Sequence, residues 1–138
     1  MALSADRNYR TSGLTEVLHA KLTASLTVFK GSIVALASGL VVKAADTAGY
    51  TPFGVMKAGC VSASGENPDV EVETGKIWLP LATAAQTDYG KYVYASDDGT
   101  ITTTALTNAN QCGLCVGVVV GVELLVDFRM RLPKTALA

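Results

Sequence analysis

Charge is scarce in this chain. Asp, Glu, Lys and Arg make up 17% of 138 residues, where about 25% is usual for a soluble domain. A surface so thinly charged is hard to keep solvated in the ordinary way. Part of it is therefore expected to be buried against other chains, because homo-oligomer interfaces are more apolar than the rest of a surface. Histidine is nearly absent: His19 is alone. A Ser-His-Asp or Cys-His arrangement would have to use it, yet it lies in GLTEVLHAKLTASL, whose alternation reads as an exposed position on a strand. Three cysteines are an odd number, which argues against a disulfide framework and suits a reducing compartment such as a cytoplasm. No basic cluster of the kind that displaces phosphate counterions is present. Only Arg129, Arg131 and Lys134 are grouped, and they read as the solvated face of a last strand; the net charge is −1. Nucleic acid is therefore not an expected partner. The opening MALSADRNYRTSG lacks the apolar segment of a secretory signal. Gly113 to Phe128, the most apolar run, is interrupted by Glu123 and Asp127, so no membrane helix is expected.

The residues that are plentiful follow a period of two. From Val116 to Leu132 every even position is apolar, while Gly117, Gly121, Glu123, Asp127, Arg129 and Arg131 stand between. That alternation predicts strands with one buried face, broken near Gly121 to Glu123 because a single strand rarely exceeds about 10 residues. Val70 and Val72 alternate with Asp69, Glu71 and Glu73, and Thr74-Gly75 then leads into Lys76-Ile77-Trp78-Leu79. This predicts a hairpin, with Pro80 ending its second strand or marking an edge. Leu26 to Leu36 and Leu40 to Ala45 read as strands joined by Ser38-Gly39, Tyr50 to Lys57 as another strand, and Lys91–Ala95 with Thr100–Thr104 as a hairpin about Asp97-Asp98-Gly99. Leu81 to Thr87 and Thr104 to Gln111 have room for a helical turn or two but no amphipathic face. Many short strands with Gly-rich turns predict an all-β barrel or sandwich.

Reactive motifs are few. Cys112-Gly113-Leu114-Cys115 has the spacing of a redox pair, but such a pair opens a helix whose dipole lowers the thiol pKa, and here a strand follows. Zinc normally needs four ligands, and only Cys60 and His19 remain to complete a set. The two cysteines therefore read as small residues entering a strand. Asp97-Asp98 reads as a turn cap, and Glu71 with Glu73 as the polar face of a strand. No phosphate-binding glycine motif occurs. Catalysis, metal and cofactor are not expected.

Several segments occur in an order that carries a resemblance. They are Ala5-Asp6-Arg7-Asn8, Phe29-Lys30-Gly31-Ser32-Ile33-Val34, Ser38-Gly39-Leu40-Val41, Gly54-Val55, GKYVYASDDGTIT from Gly90 to Thr102, Gly117 to Val120, and Val126-Asp127-Phe128. In this order they resemble the capsid cement, or head decoration, proteins of tailed bacteriophages; Cys112 to Cys115 lies outside the pattern. The resemblance implies a compact β-barrel, jelly-roll or β-tulip-like sandwich with an extended N-terminal arm. It implies attachment to the outer surface of a phage capsid, bridging of neighbouring major capsid protein subunits, and neither enzyme activity nor cofactor. A phage tail or fibre module is the alternative among structural proteins, and a thiol oxidoreductase using Cys112 and Cys115 the alternative of another class. Residues 1–13 are then expected to be an arm reaching away from a single all-β domain at 14–138. Along it Asp6, Arg7, Asn8, Tyr9 and Arg10 are the candidate contacts to capsid or to a second copy. The scarcity of charge predicts a homodimer or homotrimer on the shell.

Overall fold

The structure, a computed structural model, describes residues 2–130. Arg131, Leu132 and Lys134, assigned above to a last strand, lie outside the described residues. The chain is all-β, as its periodicity predicts, and its main antiparallel sheet is strongly curled into a half-barrel. In chain order the strands are β1 (Thr11–Lys21), β2 (Thr27–Val28), β3 (Ile33–Ala37), β4 (Leu40–Lys43), β5 (Thr51–Met56), β6 (Cys60–Val61), β7 (Asp69–Pro80), β8 (Tyr92–Ala95), β9 (Ile101–Thr102), β10 (Gln111–Val119) and β11 (Glu123–Asp127). The sheet runs β4-β3-β5-β7-β11-β10-β8-β9, with β1 also on β7 and β2 paired with β6 apart from it.

β7 organises the molecule. Its apolar residues change phase at Gly75: Val70 and Val72 are buried before it, Ile77 and Leu79 after it. The first half therefore packs with Leu22, Val28, Val34, Val41, Phe53 and Met56. The second packs with a different cluster that holds Val93, Cys112, Cys115, Leu124, Val126 and Phe128. Each half finds its own neighbours. β5 pairs with Val72 and Glu73, β11 with Lys76 to Pro80, and β1 with both halves. The hairpin expected at Thr74-Gly75 consequently does not form. A two-residue turn would have set Val72 beside Ile77 and Val70 beside Leu79 on one face, but β1, β5 and β11 take the backbone pairing of the two halves instead. Gly75 instead bends one continuous strand at a φ of +125°, where an added Cβ would lie 3.2 Å from the Thr15 side chain.

β3 and β5 bury both faces, with Ile33 and Val55 toward one cluster and Val34 and Met56 toward the other. The half containing β1 nearly closes on itself, since Thr23 N–H donates to Val41 O at 3.0 Å. The other half closes where Ile33 N–H donates to Asp98 O at 2.8 Å.

Four further readings are refined. Leu26 to Leu36 is not one strand but two, split by a turn closed by Ser32 N–H to Phe29 O. Leu81 to Thr87 yields only a short 3-10 turn, Gln86–Asp88. Thr104 to Asn110 is a loop with no helix. The break expected between Gly121 and Glu123 falls at residues 120–122, between β10 and β11.

Candidate functional site

The five arm residues singled out in the sequence share one strip of surface, and the arm does not reach away from the domain. It lies back along its own barrel, and β1 already begins at Thr11, so the boundary expected at residue 13 moves to residue 10. The reason is polar. A short arm with few apolar groups has backbone and side-chain donors to satisfy, and the barrel end presents acceptors for them.

Arg7 is the centre of that attachment. Its guanidinium donates to Gly99 O at 3.0 Å and to Gly31 O at 3.1 Å, while its backbone N–H donates to Lys30 O at 2.8 Å. The approach is close enough to require glycine at position 31: φ is +83°, and a Cβ there would stand 2.4 Å from Arg7 O. Burial pulls the Arg7 guanidinium below its ordinary pKa, against the opposing charges of Asp98 and Asp97; an arginine so placed still stays cationic at neutral pH. Asp6 accepts Lys30 N–H at 3.0 Å, and Asn8 Oδ1 accepts from Lys30 Nζ at 3.4 Å.

Beneath the arm lies Asp98, which is 1% exposed. One carboxylate oxygen accepts Leu3 N–H at 2.9 Å and the other accepts the Ser32 hydroxyl at 2.9 Å. Its backbone carbonyl closes the barrel end onto Ile33. The neighbouring Asp97 behaves as a turn cap should, taking Gly99 N–H at 2.8 Å. The turn chemistry of this pair was legible in the sequence. The buried role of Asp98 was not, because its partners are 66 and 95 residues away.

Further along the arm, Tyr9 donates its hydroxyl to Glu73 at 2.6 Å, and Thr15 donates to the other Glu73 oxygen at 2.6 Å. Burial first, then Glu73, pushes the Tyr9 phenol up. Arg10 pairs with Glu123, accepts Trp78 N–H on its carbonyl, and stacks its guanidinium 4.9 Å above the Trp78 ring. Lys30, Glu73, Trp78 and Glu123 belong to this surface and were missed as site residues. Each reads in sequence as an ordinary strand or turn position.

The cysteines lie elsewhere. Cys112 and Cys115 are fully buried in β10, inside the strand rather than ahead of it. Burial pushes the Cys115 thiol up, and Asp88 adds to this, against opposing backbone hydrogen bonds; its Sγ lies 3.3 Å from Gly117 O. A nucleophilic cysteine needs the reverse shift and access to solvent. His19 is exposed on β1 opposite Glu71. Among the described residues no group of three or more His, Cys, Asp or Glu could hold a metal ion, and no helix is long and apolar enough to cross a membrane.

Comparison of the chain with protein-family models, with curated proteins and with solved structures finds no match.

Proposed function

We propose that this protein is a capsid cement protein: it binds the outer surface of a tailed-phage head and bridges neighbouring major capsid protein subunits. One observation carries the reading. The segments behind the resemblance are far apart in sequence, yet three of them meet at one place. Arg7 of Ala5–Asn8 holds Gly99 of the Gly90–Thr102 hairpin and Gly31 of the Phe29–Val34 turn. Motifs so unlike in position share a physical reason to occur together if they build one presented surface.

The rest of the molecule suits a binding role. A rigid curled sheet with closed ends fixes the arm residues in position, and rigid scaffolds lose little entropy on association. The thiol reading fits less well, because the Cys115 thiol is buried and raised. Exposed apolar residues at the β10–β11 tip, Val119, Val120 and Val122, favour contact between copies on the shell, as a homodimer or homotrimer.

The test uses undecorated heads of a tailed phage that carries this gene. The protein is expected to sediment with the shells in a fixed ratio to the major capsid protein, and a cryo-EM map of decorated heads should show its density outside the shell, copies touching. Protein that stays in the supernatant at every concentration would sink the reading.

A further inference from the structure

The arm leaves a hollow on each side of Tyr9. One, of about 310 Å³, has Trp78 and Pro80 in its lining together with Arg7 and Arg10. The other, of about 290 Å³, is lined by Lys30, Lys57 and Thr11. Tyr9 borders both, so they are two compartments of one surface. Its charge is unlike the rest of the protein. Four cations, Arg7, Arg10, Lys30 and Lys57, line the two hollows with two carboxylates, Glu73 and Glu123, on a chain whose net charge is −1.

Both carboxylates are already engaged: Glu73 accepts from the Tyr9 and Thr15 hydroxyls, and Glu123 is held by Arg10. Arg10 is matched by Glu123, and Arg7 is offset by the nearby charges of Asp98 and Asp97, but the two lysines are not matched in return. Arg7 reaches only backbone carbonyls, Lys30 Nζ reaches the Asn8 amide oxygen at 3.4 Å, and among the described residues the exposed Lys57 has no carboxylate at ion-pair distance. Trp, Tyr and Arg are also the side chains most enriched where binding energy concentrates.

We propose that this surface docks an acidic, extended segment of a partner protein. Carboxylates of the segment meet Lys30 and Lys57, and an apolar side chain enters the hollow over Trp78 and Pro80. The naming of that partner as the major capsid protein rests on the shell-binding reading; the chemistry of the surface does not. A discrete apolar hollow beside the lysines favours a peptide over duplex nucleic acid, whose phosphates would use the cations while its paired, stacked bases leave Trp78 and Pro80 unoccupied.

Trp78 is the sole tryptophan, so its fluorescence reports the site directly. The probes are the blocked peptide acetyl-Asp-Leu-Glu-Leu-Asp-amide, its counterpart with lysine at each acidic position, and a short DNA duplex. The acidic peptide is expected to change Trp78 emission saturably, with the effect much reduced in about 0.5 M salt. Lys57→Glu and Lys30→Glu should each weaken it about fivefold or more, with an unchanged thermal melt. No saturable change, an equal response to the lysine peptide, or tighter binding of the duplex would overturn the proposal. Shell sedimentation separates the two claims. Equal, saturable shell binding by the wild-type protein and the Lys30→Glu, Lys57→Glu double variant would refute this surface as the shell contact and leave the cement reading standing. Failure to bind shells, beside a saturable peptide response, would do the reverse.

Discussion

A carboxylate shut away from water is tolerated when its lone pairs are taken by donors, and Asp98 meets that condition from two directions. Leu3 donates from the arm and Ser32 from the start of the barrel. Removing the acceptor strands a buried hydroxyl and a backbone N–H together, and each unsatisfied group costs about 1–3 kcal/mol. Asp98→Ala is therefore expected to lower stability by about 2–4 kcal/mol. Ser32→Ala, which leaves the carboxylate its Leu3 bond, should lower it by less. Urea denaturation of the three proteins measures this directly, and an Asp98→Ala protein within about 0.5 kcal/mol of wild type would refute the account, that being the usual span of a neutral surface change. Turn residues reveal themselves locally, and Asp97 does. A residue whose value lies in contacts across the fold, as with Asp98 or Glu73, carries no local mark.

The same limit operates on whole elements. Strands were legible wherever the alternation was local: β8 with β9 about Asp97–Gly99, β3 with β4 about Ser38-Gly39, and β10 with β11. β7 was misread because Thr74-Gly75 has the composition of a turn and the shift of apolar phase across it also suits a hairpin; only the distant partners of its two halves, β1, β5 and β11, show one continuous strand. The arm was misread for a related reason. Its own residues are polar enough to be an unattached terminus, and only the barrel end shows what they bind. Holding the arm down is a stability term. Ordering it costs about 1–2 kcal/mol per residue, which the bonds of Leu3, Arg7 and Tyr9 and the Arg10–Trp78 stack must exceed. Deleting residues 2–9 also uncovers Asp98. The truncated protein is expected to melt roughly 10 °C lower, corresponding to about 2–3 kcal/mol. A melt within a degree or two of the full-length protein would show that the arm is fastened only weakly.

At the scale of the molecule, two apolar clusters raise the question of whether there are two folding units. One holds Phe53, Met56, Val70 and Val72; the other holds Ile77, Leu79, Leu124 and Phe128. Separate units would have few strands in common, but here β3, β5 and β7 each supply residues to both. In β3 and β5 the donors are adjacent, Ile33 beside Val34 and Val55 beside Met56. Melting either cluster would expose one face of strands whose other face remains packed. At roughly 1.5–3 kcal/mol for each large side chain returned to water, the half-melted state lies well above both ends of the transition. The arm couples the halves again, since Arg7 touches the Gly99 turn on one side and Gly31 on the other. Unfolding is therefore expected to be a single cooperative step. Scanning calorimetry should give a calorimetric enthalpy equal to the van't Hoff enthalpy, and near-UV and far-UV circular dichroism should change together. Two resolved heat-absorption peaks would mean that the shared strands do not transmit stability between the clusters, and that the protein is two units joined at β7.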